Sequence, residues 1–139
     1  MQESNYPIAW TEDYSMQIGE IDAQHKHFIS ILNNLYSALE KNELKQKAEY
    51  ILKDLANYAV NHFATEEKYF DLYKYEFADE HRLEHKKLLE KVGVFMDRFS
   101  SEGTNIVPEL LDFLEDWLVQ HLNNQDKRYV DCFKQNGLV

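Results

Sequence analysis

The sequence predicts an all-α protein, an up-down-up-down antiparallel four-helix bundle with an irregular N-terminal arm. Three observations carry that prediction. Four Gly and two Pro in 139 residues leave little material for the many turns of an all-β fold. Apolar residues, 44% of the chain, recur at steps of three and four in four separate segments. The connections between the segments are short, which favours antiparallel neighbours. A chain of this length supports one core, so residues 1–139 are read as a single domain, with the arm over 1–18 and the bundle over 19–139.

In the arm, Pro7 and the aromatics Tyr6, Trp10 and Tyr14 follow no sustained period and are expected to lie over the bundle. The first helix, Gly19 to Asn42, has the stripe His25, Phe28, Ile29, Leu32, Leu35, Tyr36 and Leu39. The second, Glu43 to Tyr73, continues the rule with Leu52, Leu55, Ala56, Ala59, His62, Phe63, Glu66, Phe70 and Tyr73. The third, Ala78 to Phe99, reads Ala78, His81, His85, Leu88, Val92, Phe95 and Phe99. After the polar turn "SSEGTN", Pro108 marks the start of a fourth helix with Val107, Leu110, Leu111, Leu114, Trp117, Leu118 and His121 on one face.

The fourth stripe slips by one residue. Up to His121 it follows Leu114 and Leu118; afterwards it follows Leu122, Asp126, Tyr129 and Phe133. On a regular helix the step of five from His121 to Asp126 turns the second side chain about 140° away from the first. A π-type bulge or a helix break around Asn123 and Asn124 is therefore predicted, with Asp126 restored to the inner face.

Composition excludes several function classes. Twenty-five acids against 15 Lys and Arg give a net charge of −10, which repels phosphate backbones and anionic lipid, so neither nucleic acid nor membrane is expected as a partner. The single cysteine, Cys132, cannot form an internal disulfide and reads as an inert thiol near a helix end. The start "MQESNYPIAW" has neither the basic residues nor the apolar run of a signal peptide, so a cytoplasmic location is expected.

Chemistry enters with the histidines. Of six, five fall on inward stripes: His25, His62, His81, His85 and His121. One core histidine is more often a hydrogen-bonded structural residue than a ligand; the argument rests on the set. Two inward carboxylates, Glu66 and Asp126, strengthen it, because buried acids need a compensating cation and these stripes contain no Lys or Arg. A metal ion supplies the charge. Imidazole with carboxylate and no thiolate suits iron, zinc or manganese. Seven ligands exceed what one tetrahedral or octahedral ion accepts. Two six-coordinate ions offer twelve positions, of which five histidines, two bridging carboxylates and one shared solvent-derived oxygen fill eleven. The position left open fits one small exogenous ligand, dioxygen if the metal is iron.

The motifs "DAQHK" (22–26), "HFATEE" (62–67), "HRLEH" (81–85) and "WLVQHLNNQD" (117–126) resemble the ligand motifs of the hemerythrins, in particular those of the bacterial single-domain type, over Trp10 to Tyr129. The resemblance implies two iron ions (Fe2+/Fe3+) joined by an oxo or hydroxo group in the bundle core, one held by His81, His85 and His121 and the other by His25 and His62. Glu66 and Asp126 would bridge them. It implies reversible dioxygen binding at the two-histidine iron, and Trp117 and Leu118 match the apolar residues of the family's ligand pocket. Phe28, Ile29 and Phe63 are close enough in sequence to the ligands to complete the shield, although core packing explains them equally well. Phe70 stands where the family usually has Met, and Glu76 where it often has Pro.

A dioxygen carrier, store or delivery protein is the leading expectation, and not an enzyme, since two carboxylates stabilise high oxidation states less than a four-carboxylate oxidase site would. An oxygen or redox sensing module is expected to bring a signalling domain or a long tail, and neither is read in these 139 residues. A di-iron oxidase or peroxidase is the third reading. No protein partner is indicated. His27, two positions from His25, is expected at the surface, and Asp22 and Tyr129 read more simply as a helix-start acid and a core tyrosine than as partners of the ligands.

Overall fold

The computed structural model describes residues 6–139; Met1–Asn5, which belong to the predicted arm and to the stretch read for a signal peptide, lie outside the described residues. Four long helical stretches form the bundle: α1 (Gly19–Glu40), α2 (Leu44–Tyr73), α3 (Ala78–Glu102) and a fourth that begins as α4 (Val107–Trp117). The fourth continues as a π-helix over Leu118–Gln125 and a 3-10 turn over Asp126–Tyr129, and ends in α5 (Val130–Gln135). In contact order α1 packs on α2, α2 on α3 and α4 back on α1, which closes the antiparallel ring. No helix among the described residues is long and apolar enough to cross a membrane.

The helix ends differ from the sequence reading by one to three residues. The first stops at Glu40 rather than Asn42, and the second begins at Leu44 rather than Glu43. Asn42 takes a left-handed φ of 59°, which no helix can continue through. The third runs on past Phe99 through "SSE" to Glu102 and stops where Gly103 takes a φ of 64°. Serine in the last turn was a weak stop signal beside the glycine that follows it. At the end of α2, Lys74 adopts the left-handed conformation and its amide donates to the Phe70 carbonyl, which turns the chain towards α3.

The arm lies on the bundle as expected, with Tyr6, Trp10 and Tyr14 packed against the main core. Tyr6 stacks on Tyr36 with ring centroids 4.1 Å apart and donates a 2.6 Å hydrogen bond to Glu115. Asp22 holds the end of the arm: it accepts from the Ser15 hydroxyl at 2.6 Å and from the Met16 amide at 2.7 Å.

Two apolar clusters divide the interior. The larger contains Phe28, Leu32, Leu55, Phe63, Leu88, Leu114 and Leu118; the smaller contains Met16, Ile21, Phe70, Ala78, Tyr129 and Phe133. On every long helix part of the polar set falls in sequence at the boundary between them: His25 between Ile21 and Phe28, Glu66 between Phe63 and Phe70, His81 and His85 between Ala78 and Leu88, and Asp126 between Leu122 and Tyr129, while His62 and His121 lie beside it at the edge of the larger cluster. Each fully buried leucine or phenylalanine stabilises the fold by about 1.5–3 kcal/mol, so the polar layer is held from both sides by apolar packing.

Candidate metal centre

Among the described residues, the buried polar and charged side chains are His25, His62, Glu66, His81, His85, His121 and Asp126, with exposures from 0% to 3%. They are the seven side chains singled out in the sequence, and they converge. Glu66, His81, His85 and His121 form one group and His25, His62, Glu66 and Asp126 another; within each group one ligand-type atom per residue lies within 4.8 Å of all the others.

The π-helix brings Asp126 in. The Asp126 amide donates to the carbonyl of His121, five residues back, in place of the four of an α-helix. The wider turn returns the fifth side chain to nearly the same face, so Asp126 Oδ1 stands 3.1 Å from His121 Nε2. The irregularity predicted at Asn123 and Asn124 is present, and it begins earlier, at Leu118.

Both carboxylates face both groups, one oxygen to each. Glu66 Oε1 lies 2.8 Å from His85 Nε2 and 3.5 Å from His81 Nε2, while its Oε2 lies 3.2 Å from His62 Nε2. Asp126 Oδ1 lies 2.9 Å from His81 Nε2, while its Oδ2 lies 3.0 Å from His25 Nε2. The donor chemistry fits metal ions in two ways. His81 Nε2 and His121 Nε2 face each other at 3.1 Å, lone pair against lone pair unless one carries a proton. His62 Nε2 and Asp126 Oδ1 are buried with no hydrogen-bond partner, an arrangement that a shared cation satisfies.

Without metal the cluster must balance its charge with protons. Burial alone would lower the His62 and His81 imidazoles, but the Glu66 and Asp126 carboxylates beside them outweigh it and push them up to about 10 and about 9. At His121 burial wins and the imidazole is lowered. Burial would raise the Glu66 and Asp126 carboxyls, yet the imidazoles facing them hold both well below the usual carboxylate range.

A surrounding shell orients the rings. His62 Nδ1 meets Gln24 Oε1 at 2.5 Å, and the Gln24 amide donates to Thr65 at 3.0 Å. His85 Nδ1 meets Glu67 Oε2 at 2.8 Å, and Glu67 is paired in turn with Arg82. These contacts fix the tautomer that leaves Nε2 free for a metal. The Tyr129 hydroxyl donates to Glu66 Oε2 at 2.6 Å, so Tyr129 is a partner of a candidate ligand and not only the core tyrosine that its apolar stripe suggested. Gln24 and Glu67 went unnoticed in the sequence because each sits off the apolar stripe, although each directly neighbours a histidine or carboxylate of the set.

The expected ligand-pocket residues Phe28, Ile29, Phe63, Trp117 and Leu118 are all buried in the larger apolar cluster. Phe63 stacks on His85 with ring centroids 3.8 Å apart, and Trp117 on His121 at 3.9 Å. Tyr58, which the sequence reading passed over, stacks on His62 at 5.2 Å and touches Phe28 at 5.3 Å. A repeat of four before His62 could have revealed it. His27 is at the surface as expected and pairs with Asp54 at 2.9 Å.

The fold and this layer of side chains define a helical bundle with a histidine- and carboxylate-lined core able to hold metal. The family model of the hemerythrin HHE cation binding domain matches residues 16–133. The bacteriohemerythrin of Pseudomonas aeruginosa is 31% identical over 129 residues, covering 93% of this chain and 83% of that protein. The bacteriohemerythrin of Clostridium acetobutylicum is 31% identical over 129 residues (89% and 99%), and myohemerythrin-1 of Phascolopsis gouldii 28% over 123 residues (88% and 92%). This chain belongs to the hemerythrin family.

Proposed function

We propose that this protein binds dioxygen reversibly at a non-haem di-iron centre, as an oxygen carrier, store or delivery protein. The observation that supports this most is the division of each buried carboxylate between two groups of histidines, one oxygen facing each group. His81, His85 and His121 would hold one iron and His25 and His62 the other, with Glu66 and Asp126 shared. The ligand count leaves room for one oxo or hydroxo group between the ions and one open position. Residues 1–139 would act as one hemerythrin-like domain, with 1–18 as its arm and 19–139 as its bundle.

Two ferrous ions held by these residues would supply one electron each, enough for a reversible two-electron reduction of dioxygen. The chain has three tasks beside that chemistry. The His62 and His85 rings are oriented by Gln24 and Glu67, so that affinity does not depend on their rotation. Phe28, Ile29, Phe63, Trp117 and Leu118 exclude water, and so deny the bound ligand the protons that would release it in reduced form. Among the described residues two buried carboxylates, Glu66 and Asp126, face the centre, a small number that disfavours higher oxidation states and so favours carriage over oxidation of an organic substrate.

The test is iron content together with the visible spectrum of the reduced protein, recorded before air, in air and after oxygen is removed. Two irons per chain and a charge-transfer band that comes in air and goes under vacuum are expected. A band that forms once and does not reverse would replace carriage by an oxidase or a redox sensor.

A further inference from the structure

Tyr58 has a buried hydroxyl with no hydrogen-bond partner. It sits one helical turn before His62 on α2, its ring nearly parallel to that imidazole, at 13°, with centroids 5.2 Å apart. It also meets Phe28 of α1, with ring centroids 5.3 Å apart. Residues four apart share a helix face, so the Tyr58 ring stands beside the His62 imidazole on the side of α2 that faces the site. The residue is 5% exposed, and its oxygen is close enough to Asp126 and Glu66 to feel both carboxylates.

Phenylalanine would fill the same space without burying an unsatisfied polar group. An orphaned donor in a packed core signals an acceptor that arrives with something else. We propose that the Tyr58 hydroxyl donates a hydrogen bond to the small ligand, dioxygen or an anion of similar size, bound at the His25 and His62 side of the centre. The inference rests on the di-iron reading above. It makes Tyr58 a residue that fixes ligand affinity and orientation, set in a pocket otherwise walled by apolar side chains. Such a donor retains the ligand without supplying bulk water.

Tyr58→Phe tests it, since the ring and its packing are kept and only the O–H is removed. Azide is the probe, titrated by its absorption into the oxidised, iron-loaded protein, with iron content and the melting temperature of the metal-free protein measured in parallel. The expected result is azide affinity lowered about tenfold, the size of one lost hydrogen bond, with iron content unchanged and the metal-free protein melting no lower than the parent. Azide affinity unchanged within about twofold would overturn the proposal. So would loss of iron or a lower melting temperature without metal, either of which would give the hydroxyl a partner within the fold. If the parent chain takes up no iron, the di-iron reading itself fails, and this inference with it.

Discussion

Glu66 reaches both groups of histidines at once. One oxygen faces His85 and His81; the other faces His62 and accepts from Tyr129. Glu66→Ala leaves the imidazoles and the Tyr129 hydroxyl without their acceptor in a dry core, a cost of about 3 kcal/mol or more. We expect bound iron to fall from two per chain to one or fewer, with a lower melting temperature; two irons and full stability would remove its bridging role. The imidazoles predict a pH dependence as well. His62 and His81 have folded-state values of about 10 and about 9 in the metal-free protein, above the ordinary 6.5. Their contribution to stability is therefore complete below about pH 6.5 and lost as pH rises through 9 and 10. Glu66 and Asp126 are held below their ordinary values, so their contribution is present above the usual carboxylate range and lost on acidification. The metal-free protein should melt at lower temperature at pH 10 than at pH 7. Metal needs neutral imidazole, so loading with ferrous iron at pH 7.5 should release at least about two protons per chain, one each from His62 and His81. An indicator-dye titration that finds fewer than one would contradict the charge balance.

Among the elements, the π-helix decides whether the fourth helix can contribute two ligands. An α-helical path would turn Asp126 by about 140° from His121; the five-residue hydrogen bond from Asp126 to His121 corrects it. The step of five can be altered by one residue in either direction. Deleting Asn124 makes it four, which a plain α-helix keeps on one face, so that variant should retain iron within about twofold and gain regular helix. Inserting one alanine after Asn124 adds about 100° of rotation and should abolish binding of at least one iron. Iron analysis and circular dichroism of the pair check both outcomes, and an insertion variant with full iron would mean that Asp126 is not held by this register. The arm depends on a different contact. Asp22 accepts two hydrogen bonds from Ser15 and Met16, so Asp22→Ala should lower stability by about 1–3 kcal/mol, read by denaturant melts.

For the whole molecule, metal binding and folding are linked. The polar layer separates two apolar clusters, and with metal removed it keeps unpartnered ring and carboxylate atoms in the centre of the bundle. Ferrous iron at a hundredfold excess over its dissociation constant adds ~2.7 kcal/mol. For a chain of this size that raises the melting temperature by roughly 10 °C, measurable by calorimetry with and without chelator. A melting temperature indifferent to chelation would disconnect the layer from metal.

The helices, their inward stripes and the seven buried polar residues are legible in the sequence, because a period of three and four records which face meets the core. The sequence also recorded the slip of register at Asn123 and Asn124, as a stripe that resumed one residue late. What it left open were the stops at Glu40 and Glu102, set by backbone conformation at Asn42 and Gly103. Tertiary structure alone decided the pairings across helices: which oxygen of Glu66 faces which histidine, that Gln24 and Glu67 hold His62 and His85, that Tyr129 serves Glu66, and that the Tyr58 hydroxyl has no partner. Periodicity shows which way a side chain points. It does not show what stands opposite, because that depends on how far each helix slides and rotates against its neighbours, and packing of the whole core fixes those displacements together.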